Sequence, residues 1–474
     1  MSFDVSRESL QRTAKKAADL YTEVYADLEN RRVDPGVSRE HVAQLFAGTI
    51  GEQGVGIDQA LDEFQRDVLP NSMGTPHPLY LGLVNSSPLP AGPLADLLVS
   101  SLNNNGGAFH QSPAITALEA EVLREFGRLC RLGEDASGMI LPGGTFANLH
   151  ALLLARHAHF PKWHSDGPQS LQGPPVIYRS EVAHFCIDRA AAAIGIGAKN
   201  IANVPLIGRG MIDVEALDKQ IAQDRAAGKQ PFCVVANGGT TGTGAIDDTA
   251  AIAELCKRHG LWMHVDACYG GAALLLDPPL HEFDGIGQAD SIAIDPHKWF
   301  FMPITAGMVL TPHRQVEVEA FEIATSYIPG DGVVDPFRRG FPTSRRSSGL
   351  TVWMTLRAHG WNTIREAVER NIQLTRRIEQ QLGEAGFHVL KDGRLSVACA
   401  RWEPDGLIPA ELDELQARIA QAVVATGKAW FSTVNHEDKT WLRMNMVNIH
   451  TREHHVDALT QLLQDVAADC ASVC

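Results

Sequence analysis

Residues 290–301, DSIAIDPHKWFF, decide how the rest of the chain is interpreted. The first half alternates Ile with small residues, which is typical of a buried strand, and Asp295-Pro296 ends it because proline has no N–H for a sheet ladder. Lys298 follows, next to bulky apolar residues that would solvate it poorly and lower its pKa. A neutral lysine amine forms Schiff bases with carbonyl compounds. A surface lysine whose stem lies over Trp299 explains this stretch equally well.

Length, composition and charge limit the class of protein. The chain has 474 residues, too many for one compact core and enough for two or three lobes. Hydrophobic residues make up 45% and charged residues 20%, as in ordinary globular proteins. The net charge of −15 argues against nucleic acid as a partner. No apolar run approaches the roughly 20 residues that cross a bilayer, so we predict no membrane partner.

Cysteine usage and the N-terminus indicate a reducing compartment. None of the 8 cysteines forms a CxxC pair, and most lie in apolar runs, as small buried residues do. The first residues, MSFDVSRESL, lack the apolar segment of a signal peptide. We therefore predict a cytoplasmic protein.

The order of predicted elements indicates an α/β fold. Between residues 137 and 310, short apolar strands alternate with helices, which favours a mostly parallel sheet covered by helices. Ligands bind at the carboxyl ends of the strands in such sheets. We expect three parts: an N-terminal helical arm with a substrate loop at 1–88, a large ligand-binding domain at 89–348, and a smaller C-terminal α+β domain at 349–474.

Two glycines open a turn between a predicted strand and a predicted helix at residues 142–148, PGGTFAN. They let the backbone approach a ligand closely, and Thr145 can cap the helix. Because a helix N-terminus attracts anions, phosphate is a candidate ligand. An ordinary capped turn would have the same features, and neither a Walker loop nor a dinucleotide-binding fingerprint is present.

Other polar residues also lie at predicted strand ends. Asp266 closes a buried strand, where a carboxylate is costly unless it is paired, for example with a protonated ring nitrogen of a ligand. His184 precedes a helix, and Thr241 lies in a glycine-rich turn. Each has a structural alternative, as a satisfied or capping aspartate, a core histidine or a turn-closing hydroxyl.

A histidine cluster near the C-terminus gives only weak support for a metal. His450, His454 and His455 occur in NIHTREHHVD, without HExxH and without cysteine pairs at zinc spacing. We interpret them as residues at the start of a helix and predict no metal site.

Together, these features match what pyridoxal 5′-phosphate requires. A helix start can hold its phosphate, Asp266 can keep its pyridine nitrogen protonated, and Lys298 can bind its aldehyde. All three occur in one chain, with a histidine and a threonine-rich turn between them.

The same motifs resemble those of the group II pyridoxal-phosphate amino-acid decarboxylases, which act on aromatic amino acids, glutamate, cysteine sulfinate or diaminobutyrate. The similarity spans about residues 70–450. The matching segments are HQSPAITALE (110–119), PGGTFANL (142–149), AHFCIDRAA (183–191), HVDACYGG (264–271), DPHKW (295–299) and SRRSSGLTVW (344–353). The resemblance implies fold type I with a seven-stranded sheet, and a homodimer whose active sites are shared between the chains.

The resemblance also implies roles for individual residues. Lys298 forms the Schiff base with the cofactor, His184 stacks on its ring, and Tyr327 on the catalytic loop protonates Cα after CO₂ is lost. Cys268 stands under the ring where the family has alanine. The implied cofactor-binding residues are Gly144, Thr145, His184, Thr241, Asp266, Cys268, His297 and Lys298.

The implied reaction is α-decarboxylation of an L-amino acid to the amine and CO₂. Aromatic-specific members line the substrate pocket with aromatic residues at places that hold Leu83, Asn85 and Asn105 here, which argues against a bulky aromatic substrate and leaves a small or polar one open. Tyr80 and Phe109 could still supply an aromatic wall, so an aromatic substrate is not excluded. The candidate substrate-binding residues are Tyr80, Leu83, Asn85, Asn105 and Phe109.

Two alternatives remain. An aldehyde-forming oxidative decarboxylase would use the same cofactor, although the presence of His184 and Tyr327 argues against it. A non-catalytic cofactor-binding protein is the other, and the chain has no DNA-binding appendage or basic surface that would favour it.

Overall fold

The structure, a computed structural model, describes residues 6–321 and 334–472. The strands are β1 Ser137–Leu141, β2 Pro175–Ser180, β3 Ile201–Val204, β4 Leu206–Ile207, β5 Met211–Ile212, β6 Gln230–Asn237, β7 Trp262–Asp266, β8 Ser291–Ile294, β9 Gly307–Thr311, β10 His388–Val389, β11 Val397–Arg401, β12 Ser432–His436 and β13 Lys439–Asn445. The helices are α1 Arg7–Tyr25, α2 Arg39–Phe46, α3 Ile57–Glu63, α4 Ala91–Leu102, α5 Pro113–Leu129, α6 Gly144–His159, α7 Trp163–Asp166, α8 Cys186–Ala193, α9 Val214–Ala226, α10 Thr249–His259, α11 Arg314–Phe321, α12 Ser348–Glu384, α13 Pro409–Thr426 and α14 Glu453–Ala471.

A seven-stranded sheet forms the centre of the molecule, in the order β1-β9-β8-β7-β6-β2-β3. Five strands that are adjacent in the sheet run parallel to one another, namely β8, β7, β6, β2 and β3. β9 runs antiparallel to both of its neighbours, β1 and β8. β1 lies at the edge and is joined to the sheet through β9. Every residue of β8 and β9 is buried, as a sheet with helices on both faces requires. The predicted mostly parallel α/β fold is confirmed.

A smaller antiparallel sheet follows, in the order β10-β11-β13-β12. The predicted C-terminal α+β part is therefore present. α12 leads from one sheet to the other and is broken at Gly360, where φ is 71°. The predicted boundaries at 88 and 348 stay predictions, because α12 contributes Val352 and Val368 to the same apolar core as the large sheet.

The N-terminal helices form an arm with little core of its own. α1 buries only Leu20 along its described length, and ion pairs Arg12–Asp58 and Lys16–Asp62 join α1 to α3. Apolar side chains remain uncovered in this arm, and Ile50 is 96% exposed. In the described part of the chain, no helix combines the length and apolarity needed to span a bilayer.

Parallel strand direction brings the sequence motifs to one edge of the large sheet. Strands that run in the same direction end at the same edge, so the segments that follow them meet there. These segments are the turn at 142–144 after β1, His184 after β2, the turn at 238–244 after β6, Asp266 at the end of β7, and Lys298 after β8.

Candidate active site

A cavity of about 240 Å³ opens at this edge of the sheet. All of the predicted cofactor-binding residues line it, although they come from segments far apart in the sequence. They are Gly144, Thr145, His184, Thr241, Asp266, Cys268, His297 and Lys298. The structure thus brings the predicted set together.

The turn after β1 presents the start of α6 to the cavity. Gly143 is the N-cap and has φ 92°, a conformation that favours glycine. Because it has no side chain to cap the helix, the first backbone N–H groups are left for an anion. A methyl group on Gly144 would lie 2.6 Å from Cys268 Sγ, so the helix start fits closely against the cavity floor. The predicted cap by Thr145 is wrong, since Thr145 lies in the first turn of the helix.

Lys298 is held by an ion pair rather than enclosed by aromatic rings. Its Nζ lies 3.0 Å from Oδ2 of Asp295, whose side chain is 2% exposed. Burial disfavours the ammonium ion and is the largest single influence, but the charges and hydrogen bond around the amine, led by the charge of Asp295, together outweigh burial and raise the lysine pKa. The predicted lowering of this pKa is therefore wrong. Trp299 turns away into the core, where its Nε1 donates to Asn371 Oδ1 at 3.0 Å.

Asp266 ends β7 with its carboxylate facing the cavity. Its Oδ1 accepts a hydrogen bond from Cys268 N at 3.1 Å, and its Oδ2 accepts one from Asn148 Nδ2 at 3.2 Å. Both contacts are with donors, so the carboxylate acts as a hydrogen-bond acceptor here. Since it faces the cavity, it can also accept from a protonated ring nitrogen of a ligand.

Two histidines flank the cavity. Burial lowers the pKa of His184, despite the nearby charge of Asp266, so its ring is neutral near pH 7. Its Nδ1 accepts from Cys186 N at 3.3 Å, and its ring centre lies 4.2 Å from that of Phe185. His297 is fixed by a 2.8 Å hydrogen bond between Nδ1 and Ala306 O. It lies beside the Gly143 turn, as expected for a residue on the phosphate side.

Sequence reasoning missed two polar residues here. Asn148 lies one helical turn after Gly144, and its i+4 spacing puts it on the same face of α6, which could have revealed it. Arg443 comes from β13 of the smaller sheet, and no local signal connects it to the site. Its Nε donates to Thr241 O at 2.7 Å and its Nη1 donates to Gly82 O. Its Nη2 is buried without a hydrogen-bond partner in the described residues.

The predicted substrate-binding residues do not line the cavity within one chain. Tyr80 is 4% exposed and stacks on Trp430 at 5.1 Å between ring centres. Leu83 and Phe109 are about half exposed. The roles of these residues, and of Asn85 and Asn105, stay predictions. Tyr327 lies outside the described residues.

The C-terminal histidines behave as a helix start. His455 Nδ1 accepts from Arg452 N at 3.0 Å, which closes the first turn of α14 as expected. His455 Nε2 lies 3.2 Å from Glu29 Oε1, and His454 is close by. Glu29, His454 and His455 lie close enough together to hold a metal ion, so the absence of a metal site stays a prediction.

The donor set around the cavity fits pyridoxal 5′-phosphate. The uncapped start of α6 suits the phosphate, Asp266 suits the pyridine nitrogen, and Lys298 supplies the amine for the aldehyde. The helix start would hold the phosphate and Asp266 the ring nitrogen, and the neutral His184 lines the same cavity.

Comparisons with known proteins agree with this fit. The model of the pyridoxal-dependent decarboxylase conserved domain matches residues 59–402. The chain is 28% identical to the aromatic-L-amino-acid decarboxylase of Bacillus atrophaeus, over 98% of this chain and 96% of that protein. It is 32% identical to the acidic amino acid decarboxylase of Mus musculus, over 80% of this chain and 70% of that protein.

Among solved structures, the 4-hydroxyphenylacetaldehyde synthase of Rhodiola rosea superimposes with a TM-score of 0.90 at 25% identity, covering 98% of this chain and 99% of that one. A similarity of this extent shows that the entire fold is shared, including the sheet that positions the cavity. The chain therefore belongs to the pyridoxal-dependent decarboxylase family, and it is a pyridoxal-phosphate-dependent amino-acid decarboxylase of fold type I, as its motifs predicted.

Proposed function

We propose that the enzyme removes the α-carboxyl group of a small, polar or aromatic L-amino acid without oxidation, giving the amine and CO₂. The observation that supports this most directly is the grouping of Lys298, Asp266 and His184 around one cavity. When bound, pyridoxal phosphate supplies an electron sink for the bond that breaks at Cα. The side chains bind it, orient it and move protons.

Lys298 attaches the cofactor and must first lose a proton. Asp295 Oδ2, at 3.0 Å from the amine nitrogen, stabilises the protonated form until then. Asp266 keeps the pyridine nitrogen protonated, because an ionised carboxylate beside it favours the charged ring. The neutral His184 can lie against the ring face without adding a second positive charge.

The fate of the substrate after CO₂ leaves depends on the proton at Cα. We assign its delivery to Tyr327, and expect Tyr327→Phe to suppress amine release while leaving cofactor binding intact. The aldehyde-forming reaction is the alternative, because the 4-hydroxyphenylacetaldehyde synthase of Rhodiola rosea shares this fold. If Tyr327→Phe released amine at the rate of the wild type, Tyr327 would not be the residue that delivers the proton to Cα.

The substrate loop is fixed next to the cavity by Arg443. One guanidinium donates both to Gly82 O and to Thr241 O, and Thr241 lines the cavity. Asn445 Nδ2 donates to Leu83 O at 3.2 Å, which holds the loop from the same side. Leu83 and Asn85 therefore lie within a few residues of an anchored point at the mouth, which supports their proposed contact with substrate.

A second copy of the chain is proposed to complete the molecule as a homodimer. α4 carries Leu94, Leu97, Leu98 and Leu102 on one face, each 47–62% exposed. We call this face the leucine stripe. Contiguous exposed leucines on one helix mark an interaction surface. The dimer would also cover the apolar residues of the N-terminal arm and bring further residues to each cavity.

The proposed compartment is the cytoplasm. Six of the described cysteines are buried free thiols: Cys130, Cys186, Cys233, Cys256, Cys268 and Cys399. Free buried thiols are typical of a reducing environment.

A substrate screen tests the proposed reaction. The enzyme loaded with pyridoxal phosphate is incubated with each common L-amino acid, and CO₂, amine, aldehyde and hydrogen peroxide are measured together. We expect CO₂ and amine in equal amounts for one substrate class. Aldehyde and peroxide in place of amine would support the oxidative alternative. Lys298→Ala is the control, since it should abolish both the visible absorbance of the bound cofactor and CO₂ release.

A further inference from the structure

A chain of buried hydrogen bonds leads from Trp262 to Asp266. Trp262 Nε1 donates to Ser291 Oγ at 2.8 Å, and Ser291 Oγ lies 2.9 Å from His264 Nδ1. His264 Nε2 lies 2.7 Å from Asn148 Oδ1, and Asn148 Nδ2 lies 3.2 Å from Asp266 Oδ2. The first four side chains are at most 4% exposed, and the chain reaches the cavity at Asn148 and Asp266.

The orientation of Asn148 is fixed by its neighbours. Its Nδ2 faces Gly144 O at 2.9 Å as well as Asp266 Oδ2, and both of these oxygens are acceptors. That end of the amide must therefore be the NH₂ group. The oxygen end faces His264, so His264 Nε2 must carry a proton.

The other end of the chain is fixed by Trp262, whose indole N–H can only donate. Ser291 Oγ accepts that hydrogen bond and has its own proton to give to His264 Nδ1. A neutral His264 with its proton on Nε2 satisfies Asn148 Oδ1 and Ser291 Oγ, and leaves the 3.1 Å contact between Nδ1 and Ser291 O without a hydrogen. Burial supports neutrality, because it lowers the pKa of His264 to about 4 despite the charge of Asp266. All donors therefore point in one direction, towards the carboxylate.

We infer that Asn148 and His264 are positioning residues that hold the Asp266 carboxylate aimed at the ring nitrogen of the cofactor. The same Asn148 amide group binds Gly144 O at the phosphate-binding helix start. One side chain thus sets the distance between the phosphate end and the ring-nitrogen end of the site. This inference rests on the proposed pairing of Asp266 with the cofactor.

Matched variants separate the hydrogen bond from packing. His264→Gln retains an N–H that can reach Asn148 Oδ1, whereas His264→Leu removes it at similar bulk. Asn148→Asp keeps the shape but puts an acceptor against Asp266 Oδ2 in place of a donor. Circular dichroism and thermal unfolding of each variant identify any that fail to fold. If His264→Leu does not fold, Asn148→Asp still tests the hydrogen bond to Asp266.

Two readouts report on the cofactor rather than on turnover. The first is the affinity of the apoenzyme for pyridoxal phosphate, followed by absorbance. We expect His264→Leu and Asn148→Asp to weaken it about 10- to 100-fold, as for the loss of one hydrogen bond to a buried charge, and His264→Gln by less than about threefold. The second is the ¹⁵N resonance of cofactor labelled at the pyridine nitrogen, which distinguishes the protonated from the unprotonated ring. It should move towards the unprotonated position in the first two variants only.

Asp266→Asn distinguishes the two ways in which this can fail. If Asp266→Asn moves the ¹⁵N resonance but His264→Leu and Asn148→Asp leave it and the affinity at wild-type values, the positioning role is wrong. If Asp266→Asn leaves the resonance unchanged as well, the proposed pairing of Asp266 with the cofactor is wrong, and the inference falls with it.

Discussion

Asp295 controls how much of the Lys298 amine is neutral before the cofactor arrives. The two side chains are 3.0 Å apart, and Asp295 is almost completely buried. Asp295→Asn removes the negative charge while keeping the shape and a hydrogen-bond acceptor. Because the neutral amine is the form that attacks an aldehyde, we expect the variant to bind pyridoxal phosphate covalently faster than the wild type.

The size of the effect follows from the geometry of this pair. A hydrogen bond to a charged group contributes about 1.5–3 kcal/mol, and about 1.4 kcal/mol corresponds to a factor of ten in the neutral fraction. The rate should therefore rise about 10- to 100-fold. Because the lysine pKa is raised, the amine is mostly protonated near neutral pH. The rates of Schiff-base formation by wild type and variant should therefore each rise about tenfold per pH unit, giving parallel lines when the logarithm of the rate is plotted against pH.

Stopped-flow mixing of apoenzyme with the cofactor measures these rates through the visible band of the Schiff base. Pyridoxal without its phosphate is the matched probe, because it should show the same offset if protonation of Lys298 is the cause. A larger offset with the phosphorylated form alone would point to repulsion between Asp295 and the phosphate. Superimposed pH–rate lines for wild type and variant would refute the reasoning, and Lys298→Ala should give no band.

Three further changes test other features. Glu379→Gln should raise the free energy of unfolding at pH 8 by about 3 kcal/mol, because burial raises the pKa of this carboxyl from 4.5 to about 7 and the folded state resists its ionisation. Urea unfolding should show the gain shrinking towards pH 5, where the folded protein holds the proton; a pH-independent gain would contradict this. Gly144→Ala should lower cofactor affinity about tenfold, because the added methyl group overpacks the cavity floor. Gly54→Ala is the control: its methyl group meets nothing within 4 Å, so a titration should give the affinity of the wild type. Leu97→Asp should convert dimer to monomer in sedimentation velocity, and a persisting dimer would exclude the leucine stripe as the interface.

Much of the large sheet and of the cofactor site could be predicted because their signals are local. Apolar runs such as β6 and β8 end at glycine-rich or polar turns, and parallel strands place those turns together. The paired glycines at 143–144 and the aspartate that ends β7 carried the cofactor prediction. β12 was missed because its residues alternate between exposed and half-buried, without a clear apolar face.

Features that depend on distant neighbours could not be predicted. The pKa of Lys298 was predicted in the wrong direction because Asp295 had been treated only as the end of a strand. The folded chain turns it back towards the amine, which no spacing rule shows. Arg443 reaches Thr241 from a different sheet, so its contact with the site depends on how the two sheets pack.

The place of β9 in the sheet has a consequence for biogenesis. β1, which precedes the phosphate-binding turn, joins the sheet only through β9, the last of the seven strands to be synthesised. Gly307 at the start of β9 also packs against Gly143, leaving no space there for a side chain. A nascent chain that ends before residue 307 therefore has the lysine but no assembled pocket, and cofactor loading must await β9. Binding of pyridoxal phosphate during translation would thus indicate that the large sheet is complete. Pairing of β1 with β9 is expected to be slow, because the two strands are far apart in the sequence.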